Sequence, residues 1–126
     1  SNSFTSTMEG LQRLNFLIEY LDQNHKLTEE LTRDFLQDAK TFLPNLEQAA
    51  EAGEWTQVMD TLHRIKANLE LFGMEAEKSH IDHLETLNAD QQTQLLPAQL
   101  PDLLARIKAG MADLQTDLQR LQAQKP

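Results

Sequence analysis

Apolar residues recur at every third or fourth position along most of this chain, and no segment alternates apolar and polar residues with a period of two. Steps of three and four put side chains on one face of a 3.6-residue helix, whereas a half-buried strand needs strict alternation. Trp55, Val58, Met59, Leu62, Ile65, Leu69 and Phe72 form one such stripe, which predicts a helix from about Glu54 to Phe72 ended by Gly73. Both Trp55 and Phe72 are expected in the core. Leu11, Leu14, Leu17, Ile18 and Leu21 predict an earlier helix, roughly Met8 to Gln23, with Asp22 to Lys26 as a connector.

From Thr28, a candidate N-cap followed by Glu29 and Glu30, a second stripe runs through Leu31, Phe35, Ala39, Phe42, Leu46 and Ala49 to Gly53, a candidate C′ glycine. Pro44 interrupts it. A proline inside a helix costs roughly 3 kcal/mol, so a bend near Lys40 to Leu43, or two abutting helices, is expected there. Met74, Ile81, Leu84 and Leu87 mark a helix from about Met74 to Leu87. The glutamine-rich stretch Asn88 to Leu100, with Pro97, reads as a loop. Pro101 fits the first position of a last helix carrying Leu103, Leu104, Ile107, Met111, Leu114, Leu118 and Leu121, with Gly110 inside it at a cost of about 1 kcal/mol.

Short connections between helices favour antiparallel neighbours. The expected fold is all-α: an antiparallel up-down four-helix bundle with an additional N-terminal helix. The 126 residues make one domain, with a core at about 27–123 and the N-terminal helix at about 8–23. Only 6% of residues are aromatic, so the core should be mostly Leu, Ile, Met and Ala. The absence of cysteine excludes disulfides and cysteine-based metal or redox chemistry, and fits a reducing compartment such as the cytoplasm. A net charge of −9 argues against binding a phosphate backbone, so nucleic acid is not an expected partner. No apolar run reaches the length of a membrane span and no secretory signal pattern is present, so no membrane contact is expected of this segment.

His63 follows a core leucine, about 100° round the helix from Leu62, which puts it near the stripe's edge. Lys66 and Ala67, three and four residues on, share its face one turn away. A neutral imidazole is nucleophilic without a separate base, and an ammonium one turn away supplies a point charge for phosphate oxygens. Arg64 adds positive field or meets an acidic partner. No glycine-rich phosphate loop or kinase signature is present, so any phosphate must come from another molecule.

A histidine followed by a lysine three on, a small residue four on and a glycine ten on resembles the histidine phosphotransfer (HPt) domains of bacterial two-component phosphorelays. Here these are His63, Lys66, Ala67 and Gly73, with alanine where the family has glycine. Ala49-Ala50 before Gly53 and Trp55, and Leu84-Glu85 on the following helix, are also similar to the family, and the resemblance covers roughly Leu27 to the C-terminus. It implies that His63 is the phosphoacceptor, that Lys66 stabilises the phosphoryl group, and that Arg64, Ala67, Glu70 and Gly73 lie where a partner docks. The implied partners are response-regulator receiver domains, whose aspartates donate and accept the group and which supply magnesium. A kinase to which the domain belongs is a further implied partner, since a free-standing protein and a domain of a membrane sensor kinase look alike here. The module is then a monomeric phosphoryl carrier, not an enzyme, with no cofactor or metal of its own.

Other readings stand beside this one. His63 alone is an ordinary exposed helix histidine. Ala67 in place of glycine, and the Glu70 carboxylate seven residues past His63, fit a degenerate module that binds partners without carrying phosphate. The dimerising helices of a histidine kinase also present a histidine, but usually with an acidic residue next to it, where Arg64 stands. His80 and His83, three apart near Glu77 and Asp82, offer two ligands for a metal, which do not make a site.

Overall fold

A computed structural model describes residues 10–124. The elements described whole within these residues are five α-helices, α1 (Asn15–Tyr20), α2 (His25–Glu51), α3 (Trp55–Leu71), α4 (Glu75–Ala89) and α5 (Leu96–Ala123), with a 3-10 turn at Thr93–Leu95 before the last. No strand occurs among the described residues. Helix α2 packs on α3 and α5, and α4 packs on the same two helices, so the four long helices close a ring. Three-residue connections join α2 to α3 and α3 to α4. Packed neighbours joined so tightly must reverse direction, as in an up-down bundle.

The core is aliphatic, as expected. Leu46, Leu62, Leu69, Ile81, Leu103, Ile107 and Leu114 are fully enclosed. Three phenylalanines join it: Phe35 of α2 stacks on Phe72 at 4.6 Å between ring centroids and meets Phe42 at 6.0 Å. Both connecting glycines have the left-handed backbone that ends a helix: φ is +70° at Gly53 and +74° at Gly73. At the first, Glu54 N–H donates to the Ala49 carbonyl at 2.8 Å; at the second, Met74 N–H donates to the Leu69 carbonyl at 2.8 Å.

Several expectations are corrected. The N-terminal helix does not run from Met8 to Gln23: Met8 lies outside the described residues, Leu11 to Leu14 are not helical, and the helix spans only Asn15–Tyr20. The cause is long-range. The fully buried Asp117 carboxylate of α5 accepts the backbone N–H groups of Gln12, Arg13 and Leu14 at 2.9, 2.6 and 3.1 Å. That pulls the segment into a strap across the bundle.

Thr28 is not a cap. Asn24 caps α2 by accepting Leu27 N–H at 3.0 Å, and Thr28 lies buried inside the first turn with its hydroxyl donating to the Asn24 carbonyl. Nor does Pro44 divide α2 into two helices. One 27-residue helix runs through it, with the ring on the solvent side while Phe42 and Leu46 anchor the flanking turns.

Asn88 to Leu100 is not all loop, and Pro101 does not begin α5. The helix starts at Leu96 because Leu96 and Leu100, four apart, are buried on the same stripe as Leu103, Leu104 and Ile107. Pro97 falls in the first turn, where no N–H is needed. Trp55 is only half-buried and packs at the core's edge. Gly110 is explained by a neighbour: a Cβ there would collide with the sulfur of the fully buried Met74 and come within 3.0 Å of its Cγ.

Candidate functional site

Leu62, Ile65 and Leu69 turn one side of α3 into the bundle, which sends His63, Arg64 and Ala67 outward. The His63 side chain is 71% exposed. On α4, Ile81 and Leu84 are buried, and the residue after each, Asp82 and Glu85, stands at the seam with α3. Leu62 and His63 show the same relation on the facing helix, so three polar groups meet at the rim of one helix pair.

A single carboxylate joins the two residues that the motif singles out. Glu85 Oε2 lies 2.7 Å from His63 Nδ1, and Glu85 Oε1 accepts a hydrogen bond from Lys66 Nζ at 2.6 Å. Lys66 also meets Asp82 Oδ1 at 2.9 Å. Farther along, Lys78 lies 3.8 Å from Asp82 and 3.9 Å from Glu70, so the Glu70 carboxylate belongs to the outer end of the same row of charges.

These contacts set the protonation states. Hydrogen bonds to Glu85 and then Asp82 raise the Lys66 pKa above its ordinary value, against the opposing effect of burial. Lys66 lowers the Asp82 pKa, chiefly by hydrogen bonding. At Glu85, partial burial pushes upward, but hydrogen bonds from Lys66 and His63 outweigh it, and the pKa is lowered.

An ionised Glu85 can only accept. The proton of a neutral His63 ring facing it is therefore on Nδ1, and the lone pair is on Nε2. The nitrogen left free belongs to a side chain exposed on the rim, where another protein can approach. The site thus holds an imidazole whose Nε2 lone pair is unshared and an ammonium one carboxylate apart.

Ala67 is exposed one turn beyond His63 and leaves the surface low there. Arg64 is exposed too, has no ion pair among the described residues, and borders a groove between α2 and α3 with Asp38, Asn45 and Asn68. Gly73 is placed differently. It lies beneath the strap, where a Cβ would run into the Arg13 carbonyl, and its own carbonyl accepts from Arg13 Nη1 at 2.9 Å. Its spacing from His63 therefore reflects the end of α3 and the packing of the N-terminal segment.

His80 and His83 do not converge. His80 Nε2 lies 3.1 Å from the Gln99 side-chain oxygen, and His83 is exposed. Among the described residues no three ligating side chains cluster as a metal site would require.

Asp82 and Glu85 are the functional candidates that the helical motif did not single out. Their signal was present in weak form: each follows a buried stripe residue of α4, as His63 follows Leu62. That relation puts a residue at a helix edge without saying which neighbouring helix it faces.

A family model described as Hpt domain matches residues 30–124, well over half of the chain. Searches of curated proteins and of solved structures each returned no match. The matched span takes in all of α3, α4 and α5 and most of α2, but neither the strap nor α1. With a helical bundle that presents a histidine beside a lysine on its rim, this places the chain in the Hpt domain family, the histidine phosphotransfer modules of phosphorelays.

Proposed function

We propose that the chain carries phosphate on His63, taking it from the aspartate of one response-regulator receiver domain and giving it to that of another. The observation that supports this most directly is the bond from His63 Nδ1 to Glu85 on an otherwise exposed ring, which leaves Nε2 as the nucleophile. The Nε2 lone pair attacks phosphorus in line, the bond to the donor aspartate breaks, and its electrons return to that carboxylate. The Nδ1 proton stays against Glu85 throughout.

Lys66 draws the phosphoryl oxygens, and magnesium comes with the receiver. Arg64, Ala67 and Glu70 line the approach, and the low profile of Ala67 lets the receiver backbone come near. Gly73 contributes through packing. Since the motif histidine is both exposed and oriented, the carrier reading is better supported than that of a module that binds without accepting phosphate. We further propose that the domain works as a monomer in the cytoplasm, on its own or within a sensor kinase. No helix among the described residues is long and apolar enough to cross a membrane.

Incubation with phosphorylated receivers tests the reading. The domain should acquire an acid-labile, base-stable label. His63→Gln should abolish it while keeping the fold, with a stability change of no more than about 1–2 kcal/mol from the lost bond to Glu85. Lys66→Ala should still accept phosphate, about tenfold more slowly. Label on the His63→Gln variant refutes the assignment.

A further inference from the structure

Lys66 is not a free cation. Its Nζ is held at 2.6 Å by Glu85 and at 2.9 Å by Asp82, with only a fifth of its side chain exposed. The two carboxylates differ in what else they touch. Glu85 binds both Lys66 and the imidazole, so it belongs to the nucleophile's own support. Asp82 reaches Lys66 and, more loosely, Lys78. The row His63, Lys66, Asp82, Glu85, Lys78 and Glu70 holds three carboxylates against two ammonium groups, so the rim is net negative when the imidazole is neutral.

A phosphoryl group on Nε2 puts close to two negative charges on its oxygens, while the ring, its Nδ1 proton kept, becomes cationic beside Glu85, so the site gains about one net negative charge on the side of the ring away from Glu85. The phosphoryl group must then compete with two carboxylates for one ammonium. We infer that Asp82 is a positioning residue that tethers Lys66 away from the phosphoryl group, so that phospho-His63 is stabilised less than a free lysine would allow and the phosphoryl group is poised to leave. The inference rests on the carrier reading above. On donation the Nε2–P bond breaks, its electron pair returns to Nε2, and the new P–O bond forms to the acceptor carboxylate. The Nδ1 proton remains with the ring, and Lys66 settles back between Asp82 and Glu85. The tether thus favours the unphosphorylated end of the exchange. Asp82 acts on the equilibrium through Lys66, and its own contact with the reacting atoms is not required.

The test needs the purified chain and one small phosphoryl donor, phosphoramidate, which phosphorylates histidine directly with release of ammonia. At a fixed ammonium concentration, the plateau of phospho-His63 is read by phosphorus NMR for the wild type, Asp82→Asn, Lys66→Ala and the double variant. Asp82 is half exposed, so the isosteric Asn variant should keep the fold and lose only the small contribution of an exposed ion pair to its melting temperature. Asp82→Asn should raise the ratio of phosphorylated to free domain about three- to fivefold, the size of an exposed ion pair. Lys66→Ala should lower it, and adding Asp82→Asn to Lys66→Ala should change nothing more. An Asp82→Asn effect that persists in full without Lys66, or no effect at all, overturns the tether. Failure of the wild type to take any label on His63 refutes the carrier reading itself, and this inference with it.

Discussion

Replacing Glu85 with glutamine keeps the shape of the side chain but changes what it offers. The carboxylate gives one acceptor to His63 Nδ1 and one to Lys66 Nζ, at 2.7 and 2.6 Å. An amide has one oxygen and one NH2. Lys66 can only donate, so the oxygen must face the ammonium, and the NH2 is then left against Nδ1. A neutral ring answers by moving its proton to Nε2, which removes the lone pair that the proposed chemistry needs. A hydrogen bond to a charged group is worth about 1.5–3 kcal/mol when enclosed, and this one is on an exposed ring, so about 1–2 kcal/mol is the appropriate scale. At about 1.4 kcal/mol per factor of ten, the fraction of ring with a free Nε2 falls roughly five- to thirtyfold.

Initial rates of labelling by a phosphorylated receiver should fall by the same factor, and nitrogen NMR of the imidazole should show the exchanged tautomer. Two further variants make the argument sharp. Glu85→Ala should do less harm than the isosteric glutamine, because water can accept from Nδ1. Lys66→Ala added to Glu85→Gln should restore the original tautomer, since the amide is then free to turn its oxygen to His63. A Glu85→Gln variant with the wild-type tautomer and a rate within twofold of wild type would refute the reasoning.

Three other outcomes are expected. Ala67→Gly should lower stability by about 1 kcal/mol through helix propensity while keeping or improving transfer, whereas Ala67→Gln should keep the fold and sharply slow transfer; paired melting and rate measurements check both. Asp117→Ala should cost about 2–4 kcal/mol in urea denaturation by taking their shared acceptor from one buried and two part-buried N–H groups, and hydrogen exchange at Gln12 to Leu14 should become fast; a loss below 1 kcal/mol would show that the strap is held by its leucines alone. The stabilisation from the site's charge network should depend on pH in a defined direction. The lowered Glu85 and Asp82 pKa values make it present above the ordinary carboxylate range and lost as pH falls below about 4, and the raised Lys66 pKa makes it present up to about pH 10.5 and lost above that. The melting-temperature gap between wild type and Glu85→Gln should therefore close in acid, and a constant gap from pH 7 to pH 3 would count against it.

The sequence alone determined the helical class, the extent of α3 and α4 to within two residues, and both connecting glycines. These follow from local causes: a 3.6-residue period and the backbone freedom of glycine at φ near +70°. It also determined that His63 and Lys66 share a face, because three residues on a helix is a local distance. What tertiary structure decided was every feature whose cause lies on another helix. The strap at Leu11 to Leu14, where a helix was expected, exists because Asp117, about a hundred residues away in sequence, accepts its backbone N–H groups. The early start of α5 depends on burial of Leu96 and Leu100 against the bundle, which outweighs two prolines that sequence rules assign to loops and helix starts. Gly110 is meaningful only beside Met74, and Gly73 only beside Arg13. The same division runs through the site. Periodicity placed the imidazole and the ammonium on one helix, but their coupling runs through Glu85 and Asp82 of the next, and only the packing of α3 against α4 brings those carboxylates to them.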